Sequence, residues 1–279
     1  MMGSQSQQAS LTQRTGLALA EALRQERDGD LLFANGRIRQ IRDLLIDGVR
    51  HERLPESIDR TRLRAPHSAA ALSINSFLRW RDATDQLPLA GWTGFDAVQF
   101  EVRCPTGLRG TPPHLDLLAL RAEVAVAVIV RCIEYLSRRK TAVAPSYDQL
   151  LATTPGLEPW RRQLDRLRHE PQHYRHLDAG ALIKFALALG RTFPDRPTIL
   201  LYLYWEPLNA ERFEEFCRHR KETAELADAV REARVTFGPQ SFGAMWREWG
   251  ARPTPSWLAD HVAQLRARYC VSIPAVKHL

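Results

Sequence analysis

The sequence predicts an α/β protein: a mixed sheet core running helix, strand, strand, strand, helix, strand, with helical additions at both ends. Three observations predict it. The apolar period changes from 3.6 to 2 near Phe95 and stays there as far as Arg131. A capped apolar helix follows at residues 178–190. A continuous apolar run, Thr198-Ile199-Leu200-Leu201-Tyr202-Leu203-Tyr204-Trp205, then supplies a buried strand. A meander of three strands, a crossover helix and a further strand make a mixed sheet with helices on its faces.

Taken in order, residues 1–12 are polar at their start and are expected to form a disordered tail. Residues 13–65 form an N-terminal helical extension. Leu17, Leu19, Ala20 and Leu23 make one amphipathic stripe, and Ile38, Ile41, Leu44, Leu45 and Val49 make a second, with Asn35-Gly36 between them. The α/β core is placed at residues 66–207. It opens with a helix near residues 68–80, where Ser68 is suited to cap the start. Residues 95–103 form a strand. A turn-rich segment then leads to a hairpin whose strands are His114-Leu115-Asp116-Leu117-Leu118 and Val124-Ala125-Val126-Ala127-Val128-Ile129-Val130-Arg131. Residues 135–168 are helical and polar, broken near Pro145 and Pro155. Asp178 caps the next helix and Gly190 suits its end. Residues 208–279 form a C-terminal helical region packed on the core. It contains a long charged helix over 209–234 and shorter helices near 242–249 and 256–268.

Composition narrows the function classes. At 279 residues and 44% hydrophobic content, the chain can bury a sizeable core. No apolar run approaches the roughly 20 residues that a membrane helix needs, and the polar N-terminus lacks a signal peptide's apolar centre. A cytoplasmic protein is expected. The net charge of +7 favours a polyanionic partner. Only four of the 39 basic residues are lysine, a skew that a GC-rich genome also produces. Cys104, Cys132, Cys217 and Cys270 form no C-x-x-C pair and are expected to be reduced core thiols.

Strand alternation puts His114, Asp116, Leu118 and Leu120 on one face, and Ala127, Ile129 and Arg131 on one face of the partner strand. Folding at Ala122 brings Asp116 towards Arg131 at one end of the hairpin. Two readings stay open. The pair is a structural ion pair, or the Asp holds a metal ion while the cation organises water or phosphate. Other constellations are weaker. His114-Leu115-Asp116 lacks further zinc ligands. His169, His173 and His176 have helical spacing but surround Pro171, and an exposed turn is expected there. No G-x-x-x-x-G-K-[ST] or G-x-G-x-x-G loop is present. Tyr202, Tyr204 and Trp205 are expected in the core, and Trp246 and Trp249 against the main domain.

Five segments carry a resemblance. They are Arg64-Ala65-Pro66-His67-Ser68-Ala69-Ala70, the run from Cys104-Pro105-Thr106-Gly107-Leu108-Arg109-Gly110 through Thr111-Pro112-Pro113-His114-Leu115-Asp116, Glu134-Tyr135-Leu136-Ser137, Ala181-Leu182-Ile183-Lys184, and Leu200-Leu201-Tyr202-Leu203-Tyr204-Trp205-Glu206-Pro207. Their order resembles the PD-(D/E)XK nuclease superfamily, and within it a bacterial restriction endonuclease family. The resemblance covers about half the chain. It implies a restriction-endonuclease-like fold and DNA cleavage assisted by Mg²⁺ or Mn²⁺, with DNA as partner and a homodimer as one possible assembly.

By that resemblance Asp116 is the metal-binding Asp, the second acid falls on Ile129 and the Lys falls on Arg131. The Val130 carbonyl survives as a metal ligand, and a Gln expected on the crossover helix is replaced by Ala181. Ile129 cannot ligate a metal, and Arg131 is a poor proton acceptor. Glu101 and Glu134 are candidate replacement carboxylates, with Glu101 also a candidate metal ligand. Arg109 and Lys184 are candidate nucleic-acid contacts. The expectation is therefore an endodeoxyribonuclease that hydrolyses phosphodiester bonds, in which Asp116 holds the metal, Arg131 contacts the scissile phosphate and Glu101 or Glu134 supplies the missing carboxylate, with catalysis impaired by the departures at Ile129 and Arg131. The alternatives are a non-catalytic nucleic-acid-binding relative and a protein-interaction module.

Overall fold

In the computed structural model, residues 9–27, 30–137 and 140–275 are described. Their centre is a five-stranded open sheet in the order β1-β2-β3-β4-β5. β1 (Ala97–Arg103), β2 (His114–Arg121) and β3 (Val124–Arg131) form an antiparallel meander, while β4 (Thr198–Tyr204) and β5 (Val235–Ser241) add in parallel. The protein is thus mixed α/β. β3 lies between an antiparallel and a parallel neighbour, and every residue from Val124 to Val130 is buried. This is why its sequence is continuously apolar rather than alternating.

The helices follow the chain as α1 (Leu11–Glu26), α2 (Ile41–Leu44), α3 (Arg60–Leu63), α4 (Ala69–Phe77), α5 (Ser146–Thr153), α6 (Glu158–His169), α7 (Ala179–Thr192), α8 (Glu214–Ala229), α9 (Phe242–Gly250) and α10 (Leu258–Tyr269). α4 packs on β3, α7 on β4 and β5, and α8 and α9 on β5. Caps fix the starts. Ser68 accepts from Ala71 N–H at α4, Asp178 accepts from Ala181 N–H at α7, and Ser10 with Gln13 makes a reciprocal capping box at α1.

Three expectations need correction. β5 lies where a long helix was expected to end and helical additions to follow, and α8 covers only part of 209–234. The sheet therefore reaches beyond residue 207. The stripe over residues 38–49 does not form one helix. Leu44, Leu45 and Ile46 are all buried in succession, which an irregular segment allows and a single helix stripe does not. The three histidines do not share an exposed turn. His169 is exposed, His173 bonds Glu225, and His176 is buried.

α1 begins at Leu11, inside the stretch expected as a tail, and residues 1–8 of that stretch lie outside the described residues. No helix among the described residues is long and apolar enough to cross a membrane. All four cysteines are free; Cys104 and Cys132 are buried, and Cys217 and Cys270 are partly exposed.

Trp249 packs edge-on against Phe77 and Trp80, and its indole N–H donates to Pro88 O. Trp246 packs on Phe242 and Tyr269. Trp249 thus joins α9 to the core, as expected, whereas the ring contacts of Trp246 join α9 to α10.

Candidate functional site

The site lies at the open end of the hairpin. In the β1–β2 register Phe100 pairs with Leu117 and Val102 with Leu115, which sets Glu101 across from Asp116. Glu101 itself leaves the ladder, because its φ is +56°, in the left-handed region that a glutamate rarely adopts. The β2–β3 ladder stops at the pair Leu117–Val128. One step further, the Asp116 carboxylate takes over from the backbone: Val130 N–H donates to its Oδ2 at 2.8 Å. That step sets Ile129, fully buried, across from Asp116.

The four expected catalytic groups do come together. Burial raises the Asp116 carboxyl to about 7; Arg131 and the Val130 N–H pull it down, and Glu101 and Glu134 push it up. Burial also raises Glu101, against the pull of Arg62 on α3, and His114 Nδ1 lies 3.4 Å from its carboxylate. Glu134, in the turn after β3, accepts Cys132 N–H at 2.6 Å. Arg131 does not close an ion pair with Asp116. Its guanidinium instead donates to the carbonyl of Val130, its own neighbour, at 2.7 Å.

The two expected nucleic-acid contacts stand apart. Arg109 is exposed in the loop between β1 and β2. Lys184, on α7, places its ammonium 5.5 Å from the centre of the Tyr147 ring, a cation–π contact on α5.

Several neighbours were not among the expected site residues. His67, half-buried beside Gly16 of α1, has its imidazole pKa lowered by burial, with Glu134 opposing. Lys140 and Thr141 are held against the start of α7. Asp178 accepts the Thr141 N–H and hydroxyl at 2.9 and 2.6 Å, and a Cβ on Gly180 would lie 2.2 Å from Thr141 O. Gly180 is thus required for the close approach.

The metal expected from the resemblance does not suit these residues. A hard divalent cation needs several oxygen ligands in one shell. Here Ile129 fills the second acid position, the Val130 carbonyl is taken by Arg131, and no group of three His, Cys, Asp or Glu side chains among the described residues is arranged to hold a metal. The arrangement offers instead a guanidinium fixed on a main-chain carbonyl, near a part-buried carboxyl whose pKa burial raises to about 7.

No family model, curated protein or solved structure matches the chain.

Proposed function

We propose that the chain is a nucleic-acid-binding relative of the PD-(D/E)XK nucleases, with a restriction-endonuclease-like fold that no longer cuts. One observation carries the proposal. The Arg131 guanidinium sits on the Val130 carbonyl, where the resemblance puts a metal, and the position opposite Asp116 is a buried Ile. A guanidinium keeps positive charge at that point and can hold a phosphate, but it neither activates water as a metal does nor accepts a proton. The net charge of +7 suits a polyanionic partner.

The test has two parts. A labelled DNA duplex should bind at about 50 mM salt and release steeply as salt rises, because phosphate contacts free counterions. Absence of binding at low salt removes the proposal and favours a protein-interaction module. The parent should leave DNA intact with Mg²⁺ or Mn²⁺. The double substitution Ile129→Glu with Arg131→Lys, checked for folding by circular dichroism, should begin to cut.

A second reading is an active endonuclease, favoured by the left-handed Glu101 across from Asp116, a backbone conformation of the kind found at functional sites. Cleavage by the parent, abolished by Asp116→Ala and by Glu101→Gln, would put this reading first.

A further inference from the structure

Next to the hairpin lies a cavity of about 420 Å³, within the size range of small-ligand sites. Its polar lining includes Arg131, Glu134, Lys140, Thr141, His176 and Asp178. The carboxylates among them are already engaged. Glu134 accepts Cys132 N–H, and Asp178 accepts from Thr141 and from Ala181 N–H. The two cations are less well served. Arg131 donates to Val130 O and Lys140 donates to Leu177 O at 3.0 Å, and among the described residues neither closes an ion pair.

Burial lowers the Lys140 pKa, although Asp178 and Glu222 act against it. An ammonium held this way gains from an anion brought to it. Ala181, Leu182 and the Tyr202 ring make up an apolar wall, and the small Ala181 side chain leaves that wall open.

We propose that this cavity binds a phosphomonoester, with Arg131 and Lys140 as the cationic clamp and the apolar wall against the attached nucleoside. Neither cation is in direct contact with Glu134 or Asp178, the two carboxylates of the same lining, so a phosphomonoester, which carries roughly −1.5 to −2 near pH 7, would bring each an anionic partner. If the ligand is a strand end, the proposal rests on the nucleic-acid reading above; if it is a free nucleotide, it does not.

The test compares duplexes with a terminal phosphate or a terminal hydroxyl, and thymidine 5′-monophosphate with thymidine, by fluorescence anisotropy and calorimetry. The phosphorylated member of at least one pair should bind tenfold or more tightly. Lys140→Gln, which keeps a donor for Leu177, and Ala181→Leu, which fills the cavity without changing charge, should each erase that preference. Both variants should still bind the hydroxyl-ended duplex. Equal binding within both pairs overturns the proposal, as does a preference that survives both substitutions. Binding of the monophosphate without binding of any duplex supports the cavity and removes the DNA reading. Binding of all duplexes alike, with no preference for the monophosphate, does the reverse.

Discussion

At Asp116 burial competes with hydrogen bonding. Desolvation raises its carboxyl from 3.8 to about 7, even though Arg131 and the Val130 N–H favour the anion. A carboxyl whose pKa is raised on folding favours the fold in its protonated form. Its contribution is therefore full below about pH 4 and is lost as pH rises to about 7. The ceiling is about 4 kcal/mol at 1.36 per pKa unit, and solvent at the sheet end reduces it to about 2. Asp116→Asn keeps an acceptor for Val130 and removes the titration. The stability lost between pH 4 and pH 8 should thus be about 2 kcal/mol smaller in Asp116→Asn than in the parent, measured by urea unfolding. Parallel pH profiles would show that the carboxyl is not perturbed.

Among the elements, α8 is tied to the segment before α7 by one side chain. Glu222 accepts the backbone N–H groups of Arg175, His176 and Leu177 and also pairs with Arg218, and these bonds hold its pKa below the usual range although burial opposes them. Glu222→Ala leaves three N–H donors without that acceptor and should cost about 3 kcal/mol in chemical unfolding. A loss under 1 kcal/mol would mean that water replaces the carboxylate.

Nothing local in the sequence announces this tie, because its partners are more than 40 residues apart. The elements that were legible had redundant signals. β3 and β4 combine length with unbroken apolarity, and α7 has an Asp cap and an apolar side. β5 was hidden because Gly238 and Pro239 interrupt it; as the last strand of the sheet it tolerates a proline that a central strand would not. In the site, Asp116, Arg131, Glu101 and Glu134 were legible through strand alternation and the resemblance. His67 stood in a segment that carried the resemblance but had no role there, and Lys140 had no signal; both reach the site from loops whose position only the folded chain defines.

Across the whole molecule, the two ends of the chain share the core. Asn75 on α4 accepts Ile46 N–H at 3.1 Å and donates to Leu44 O and to the Tyr269 hydroxyl, joining the N-terminal segment to α10. Arg268 repeats the link through Glu26 and Leu44 O. The buried apolar residues form one cluster from Leu19 to Ile273. Thermal unfolding should therefore be a single transition. Asn75→Ala, which strands the Ile46 N–H and the Tyr269 hydroxyl while Leu44 O keeps Arg268, should lower stability by about 2 kcal/mol while keeping that single transition. Two separated transitions would show that the terminal helices melt independently.

The guanidinium on the Val130 carbonyl has a practical consequence. A diffusible cation can be stripped away or exchanged, whereas this one is tethered to the main chain by its own side chain. Grip on nucleic acid that depends on it should be indifferent to chelators. If the chain binds DNA as proposed, EDTA at constant ionic strength should leave that affinity unchanged, and a loss of binding that added magnesium restores would mean that the tethered charge is not the one that counts.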